Sequence, residues 1–246
     1  MELVVNSQFT ASGHDVSNGV TLGIVHVGGY LYGNDISVGA IHRIDVSSGD
    51  ALSKSFDADD VYGGPAWNGS NLFVPWFDLP FAGWNQVHVL DFDGGTISTT
   101  HSVSGSQPRD LTYLNGSFYG INVNDELIRY TTPFSASTVV GALSMSSPTH
   151  LSNDGTNLWI ADAGLNSDQI FTVNPSTAAV IETYSFDNPD TTNNIVNGLA
   201  VSSVDPTIIY VRGALNYEYY VLSPPEDPDF LYIKDAGFRF PYQKWV

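Results

Sequence analysis

The residues best suited to chemistry in this chain are Asp110 and His150. Each stands just before a leucine that opens a strand-like stretch, Leu111 or Leu151. The equivalent stations in three other stretches are Thr21, Pro65 and Gly198, and Arg109, Thr149 and Asn197 lie one step back. An aspartate and a histidine in one ring of equivalent positions can serve as base and acid, or hold a metal. The structural alternative pairs Asp110 with Arg109 and uses His150 to hydrogen-bond a loop. A second group is acidic. Asp35, Asp78, Asp125 and Asp162 each follow a strand-like stretch, and oxygen-rich loops of this kind can bind Ca²⁺, with Asp35, Asp78 and Asp162 as candidate ligands. Their spacing fits no EF-hand or nonapeptide loop, and aspartate is also a common turn residue. A glycosidase needs paired carboxylates, but Glu2, Glu126, Glu182, Glu218 and Glu226 occupy unrelated positions. The chain has no nucleophile elbow, phosphate-cradling glycine loop, zinc-binding His-Glu-x-x-His or dinucleotide fingerprint.

Two segments are better suited to recognition than to catalysis. The stretch from Pro75 to Asn85 reads as a long loop carrying Trp76, Phe77, Phe81 and Trp84. Such rings suit stacking on a sugar or contact with a protein; the structural alternative is a small core under the loop. Tyr217 and Tyr219 fall in the same loop class further along. The final stretch, about 236–246, is aromatic and basic, with Arg239, Tyr242, Lys244 and Trp245. On an acidic chain it reads as an anchor to an acidic neighbour, or else as a strand on the last repeat. Asn68-Gly69-Ser70 and Asn115-Gly116-Ser117 match the glycosylation triplet, but Asn-Gly also has its own use in turns.

Composition narrows the partners. With 26 acidic and 8 basic residues the formal net charge is −18, a surface that repels nucleic acid and anionic membranes. Scarce lysine and abundant aspartate fit either a high-salt setting or an ordinary acidic extracellular domain. There is no cysteine, which excludes disulfides and thiol chemistry. Apolar runs are strand-length, so no membrane insertion is expected, and the first residues lack the basic and apolar regions of a secretory signal.

The elements that position these residues come from an internal repeat. A turn dipeptide precedes an apolar–aromatic pair five times: Gly28-Gly29 before Leu31-Tyr32, Asn68-Gly69 before Leu72-Phe73, Asn115-Gly116 before Phe118-Tyr119, Asp154-Gly155 before Leu158-Trp159, and Asp205-Pro206 before Ile209-Tyr210. The interval is about 45 residues, the size of one four-stranded propeller blade. Period-two alternation runs through each copy and no helical periodicity is sustained. The expected fold is all-β: residues 1–246 form a single β-propeller of about five four-stranded blades, with a sandwich as the alternative. Either the segment from Met1 to Thr10 or that from Asp229 to Asp235 closes the ring.

The fourth repeat, Asp154-Gly155-Thr156-Asn157-Leu158-Trp159-Ile160-Ala161-Asp162 with Ile170, Val173 and Pro175, resembles NHL and YncE-type propeller repeats. The resemblance is weaker in the first and last repeats and poor in the second and third. It implies the fold and no particular chemistry, since propellers host binding, scaffolding and several reactions.

The sequence therefore favours a non-enzymatic virion surface protein, a capsid turret or decoration or a tail-associated receptor binder. It would be held to other virion proteins by its termini within a homo-oligomer and would meet a host glycan or protein. The alternatives are a lyase or hydrolase acting at the channel mouth through Asp110 and His150, and a lectin-like glycan-binding module; an extracellular protein is the alternative location.

Overall fold

The computed structural model describes residues 2–11, 23–35, 40–55, 61–78, 83–131, 134–162, 169–186, 196, 198–213, 218–224, 230–233 and 238–241. These residues are all strand and turn. Strand β1 (Glu2–Thr10) comes first. A first unit follows, β2 (Ile24–Val27), β3 (Tyr30–Asp35), β4 (Ala40–Asp45) and β5 (Ala51–Ser55), bonded in chain order. The second unit splits its inner strand into β6 (Val61–Tyr62) and β7 (Ala66–Trp67), both paired to β8 (Leu72–Asp78), and continues with β9 (Gly83–Asp91) and β10 (Thr96–Ser102). The third unit is β11 (Asp110–Leu114), β12 (Ser117–Ile121), β13 (Glu126–Tyr130) and β14 (Ser137–Ala142). The fourth is β15 (Pro148–Asn153), β16 (Leu158–Asp162), β17 (Gln169–Val173) and β18 (Val180–Phe186). The fifth is β19 (Gly198–Val201), β20 (Ile209–Arg212) and β21 (Glu218–Ser223). A separate hairpin joins β22 (Phe230–Ile233) to β23 (Phe238–Pro241).

The hydrogen bonding does not divide these strands into five separate sheets. The fourth and fifth units run together as one eight-stranded path through β1. Strand β1 lies antiparallel along β21, from Thr10 opposite Glu218 to Val4 opposite Ser223, and then meets β18 in parallel at Glu2 and Leu3 only. Of the two closure candidates, β1 therefore takes the place beside β21, and β22 bonds to β23 instead.

Packing shows why the repeats associate. Strands β12 and β16 are buried at every residue, so both faces must be covered by neighbouring units. Five apolar clusters do this, and each straddles two consecutive units. One joins Leu31 and Ile44 to Tyr210 and Tyr219, the next Ile41 to Leu72 and Leu90, the next Phe73 and Val89 to Phe118 and Ile128. The remaining two join Leu114 and Leu127 to Leu151 and Phe171, and Trp159 and Ile170 to Leu199 and Leu222. Burying each such side chain contributes about 1.5–3 kcal/mol. The inner strands follow the same cycle: β2 neighbours β7, β7 neighbours β11, and so through β15 and β19 back to β2.

The turns follow local chemistry. Asn115 (φ 50°) and Gly116 (φ 81°) make the two-residue reversal that the Asn-Gly pair favours. The Asn68 and Asp154 copies are instead four-residue loops. There the side-chain oxygen accepts from two backbone N–H groups, of Ser70 and Asn71 or of Thr156 and Asn157.

Candidate functional site

At the entry end of the inner strands the second unit is broken at Gly63-Gly64-Pro65, and the third unit presses into the break. Gly64 N–H donates to Arg109 O, and Leu111 N–H donates to Gly64 O, each at 3.2 Å. Asp110 then projects between two glycines. A methyl group at Gly64 would lie 2.2 Å from Asp110 Cγ, and one at Gly23 would lie 2.7 Å from Asp110 Oδ2. The Asp110 carboxyl is 3% exposed and His150 2%. His150 Nδ1 lies 3.4 Å from Asp110 Oδ2, which also accepts a long bond from the Leu151 N–H. Burial pushes the Asp110 carboxyl above the ordinary carboxylate range, against the pull of His150. An acid of raised pKa beside an imidazole is a pair able to pass a proton, and the two glycine backbones pack directly against its carboxyl.

The structure thus brings Asp110 and His150 together and changes their expected surroundings. Gly23 and Gly64, one in each of the first two units, approach Asp110, and Thr21 lies outside the described residues. Arg109 does not pair with Asp110: its Nη2 bonds Asp125 Oδ1 at 2.7 Å, and it also donates to Pro148 O. The Asp162 carboxylate, a candidate Ca²⁺ ligand, accepts from the N–H groups of Ser146 and Ser147 and from the Ser146 hydroxyl. Asp35 and Asp78 end β3 and β8, and no cluster of three potential metal ligands occurs among the described residues.

The expected aromatic loop is mostly strand. Pro75, Trp76, Phe77 and Asp78 belong to β8, while Trp84 and Asn85 belong to β9, and the two strands pair antiparallel from Leu72 opposite Leu90 to Asp78 opposite Gly83. Trp76 stacks on His88 at 5.0 Å between ring centroids and packs against the cluster of Leu72 and Val74. Phe81 lies outside the described residues, as do Tyr217, Tyr242, Lys244 and Trp245; Arg239 is in β23. Tyr219 is 1% exposed between the fifth and first units, so it packs the core and offers no surface to a partner.

At the exit end the same inner strands open into a well of about 260 Å³. All five units line it: His26 from the first, Trp67 from the second, Thr112 and Tyr113 from the third, Ser152, Asn153 and Asp154 from the fourth, and Ser202 and Ser203 from the fifth. Bonds between units hold the wall. Asn153 Nδ2 donates to Thr112 Oγ1 at 2.8 Å and to Tyr113 O at 3.1 Å, and the Val201 N–H donates to Ser152 Oγ at 2.9 Å. His26 stacks on Tyr210, and its Nδ1 accepts the Ser203 N–H at 3.0 Å with Ser203 Oγ 3.1 Å away. Burial lowers the His26 pKa to about 4, so the ring is neutral at pH 7. Sequence reasoning missed this end, although Thr112 is a polar residue between Leu111 and Tyr113, a signal that something other than core lies there.

No family model matches the chain, and no curated protein matches it in sequence. Solved structures do match. Glutaminyl cyclase of Myxococcus xanthus superposes with a TM-score of 0.70 at 15% identity, over 89% of this chain and 95% of that one. A luciferin-regenerating enzyme gives 0.59 at 12% identity, over 91% and 96%. A streptogramin B lyase gives 0.53 at 13% identity, over 88% and 96%. The fold is propeller-like. Identities this low establish the fold alone, so the chemistry of this propeller rests on its own residues.

Proposed function

We propose that the chain is one propeller of five four-stranded blades, the fifth completed by β1, and that it binds a small, neutral, hydroxyl-rich ligand of the glycan type in the exit-end well. The observation that carries this reading is a well lined from all five units. Trp67 and Tyr113 contribute aromatic side chains to the lining, the kind that pack against the C–H side of a sugar, while Ser152, Asn153 and Ser203 contribute polar groups. Titration of neutral monosaccharides, followed by tryptophan fluorescence and calorimetry, tests it. Saturable binding is expected, weakened about 10-fold in Trp67→Ala; no binding to any of them, or binding indifferent to Trp67, overturns it.

A second reading is supported by the raised Asp110 carboxyl beside His150: a lyase or hydrolase at the entry end, in line with the enzymes named among the structural neighbours. Its test is turnover of a peptide with N-terminal glutamine and of a streptogramin B, each with wild type and with Asp110→Asn. Failure to turn over either substrate counts against this reading. Placement on a virion surface, with anchoring through the C-terminal tail, is a proposal consistent with a glycan-binding propeller; loss of particle assembly on deleting the chain from Arg239 would support it.

A further inference from the structure

We propose a second ligand site, independent of the axial well, that takes a small hydroxylated monocarboxylate of the sugar-acid class in the groove between the third and fourth units. This groove, of about 410 Å³, is lined by Arg129, Thr138, Val139 and Val140 on one side and by Pro175 and Ser176 on the other. The chain has 8 basic residues against 26 acidic ones, so a cation without a carboxylate beside it stands out. Arg43 holds Asp93 and Arg109 holds Asp125, each at 2.7 Å. Arg129 has no such partner among the described residues. Its Nε and Nη2 both donate to Ser117 Oγ, at 3.1 and 3.0 Å. Ser117 is buried, so this hydroxyl fixes the plane of the guanidinium.

With the Nε–Nη2 edge on Ser117, the Nη1–Nη2 edge is left for an acceptor, and two parallel N–H groups match a carboxylate. Thr138 and Ser176 add hydroxyl-bearing side chains, and Val139, 48% exposed, adds an apolar face. The net charge of −18 selects the ligand further. A polyanion meets repulsion from the whole body, whereas a single carboxylate feels mainly charges within about 8 Å at physiological salt. One carboxylate on a hydroxylated frame is therefore the chemistry this groove fits.

Glucuronate, with glucose as its neutral counterpart, is the probe, read by calorimetry and ligand-observed NMR on the full chain. Glucuronate is expected to bind more tightly than glucose at this site, and Arg129→Gln to weaken it about 10-fold or more. Arg129→Lys keeps the charge, loses the paired geometry and falls between the two. Near-UV circular dichroism of each variant checks that the fold is kept. The Trp67→Ala background separates the two sites, because glucuronate binding persists there whether or not the axial well takes a sugar. Absence of glucuronate binding to the wild type, or, in the Trp67→Ala background, binding no tighter than glucose or an affinity unchanged by a folded Arg129→Gln substitution, overturns the proposal.

Discussion

The Asp110 carboxyl rests on the backbone of Gly64, so close that a methyl group at Gly64 would stand 2.2 Å from its carbon. An acid from the third unit thereby fills space that a side chain would take in the second, and Gly23 of the first unit makes the same concession. Gly64→Ala is expected to destabilise the protein by about 1–3 kcal/mol, the usual range for overpacking. Urea unfolding measures it. Asp110→Gly in the same chain should recover part of the loss; an additive double mutant would mean that the two sites do not share this space.

The same carboxyl sets a pH dependence. Its native pKa lies above its unfolded value, so the native state binds more protons between the two. The contribution of Asp110 to stability is therefore complete at low pH and is lost as pH rises through the native value. Asp110→Asn removes this slope. Urea midpoints from pH 4 upward should fall less steeply in the variant than in the wild type, and parallel profiles would refute the assignment.

His26 acts in the opposite direction. Its native pKa is about 4, below the ordinary value of 6.5, so protonation favours the unfolded chain. Its share of stability is present above the ordinary value and is lost as pH falls toward the native one, because a proton on Nδ1 breaks the bond from the Ser203 N–H. His26→Gln should flatten the profile between those two values, read by thermal melts across that window.

Asn153 joins the third and fourth units by donating to Thr112 Oγ1 and Tyr113 O. Removing it leaves a carbonyl and a hydroxyl without this donor, a loss of about 1–3 kcal/mol in Asn153→Ala. Denaturant unfolding checks the value; a loss within error of zero would show that water replaces the amide.

Strand β1 covers the edge of β21 and carries Leu3, 2% exposed, into the cluster around Trp159 and Leu222. Deleting residues 1–10 should lower the melting temperature and expose an open strand edge prone to self-association. Light scattering and melting curves on the truncated chain test both effects. Unchanged melting and scattering would show that closure does not depend on β1.

The five turn signals and the alternation between them were enough to locate the strands and the order of the units, because a strand buried on one face repeats every second residue and needs a turn of restricted chemistry at its end. Aligning the repeats placed Asp110 and His150 at equivalent stations, and the two side chains lie 3.4 Å apart. Trp76 shows where local reading stopped: a tryptophan beside proline and phenylalanine looks the same whether it caps a loop or continues a strand, and its pairing with Tyr62 and Gln86 decides. The exit-end well and the covering of Asp110 by Gly23 and Gly64 were likewise settled by tertiary structure. Each depends on residues from different units meeting at the axis, and a distance between chain segments far apart in sequence leaves no mark on the residues of either one alone.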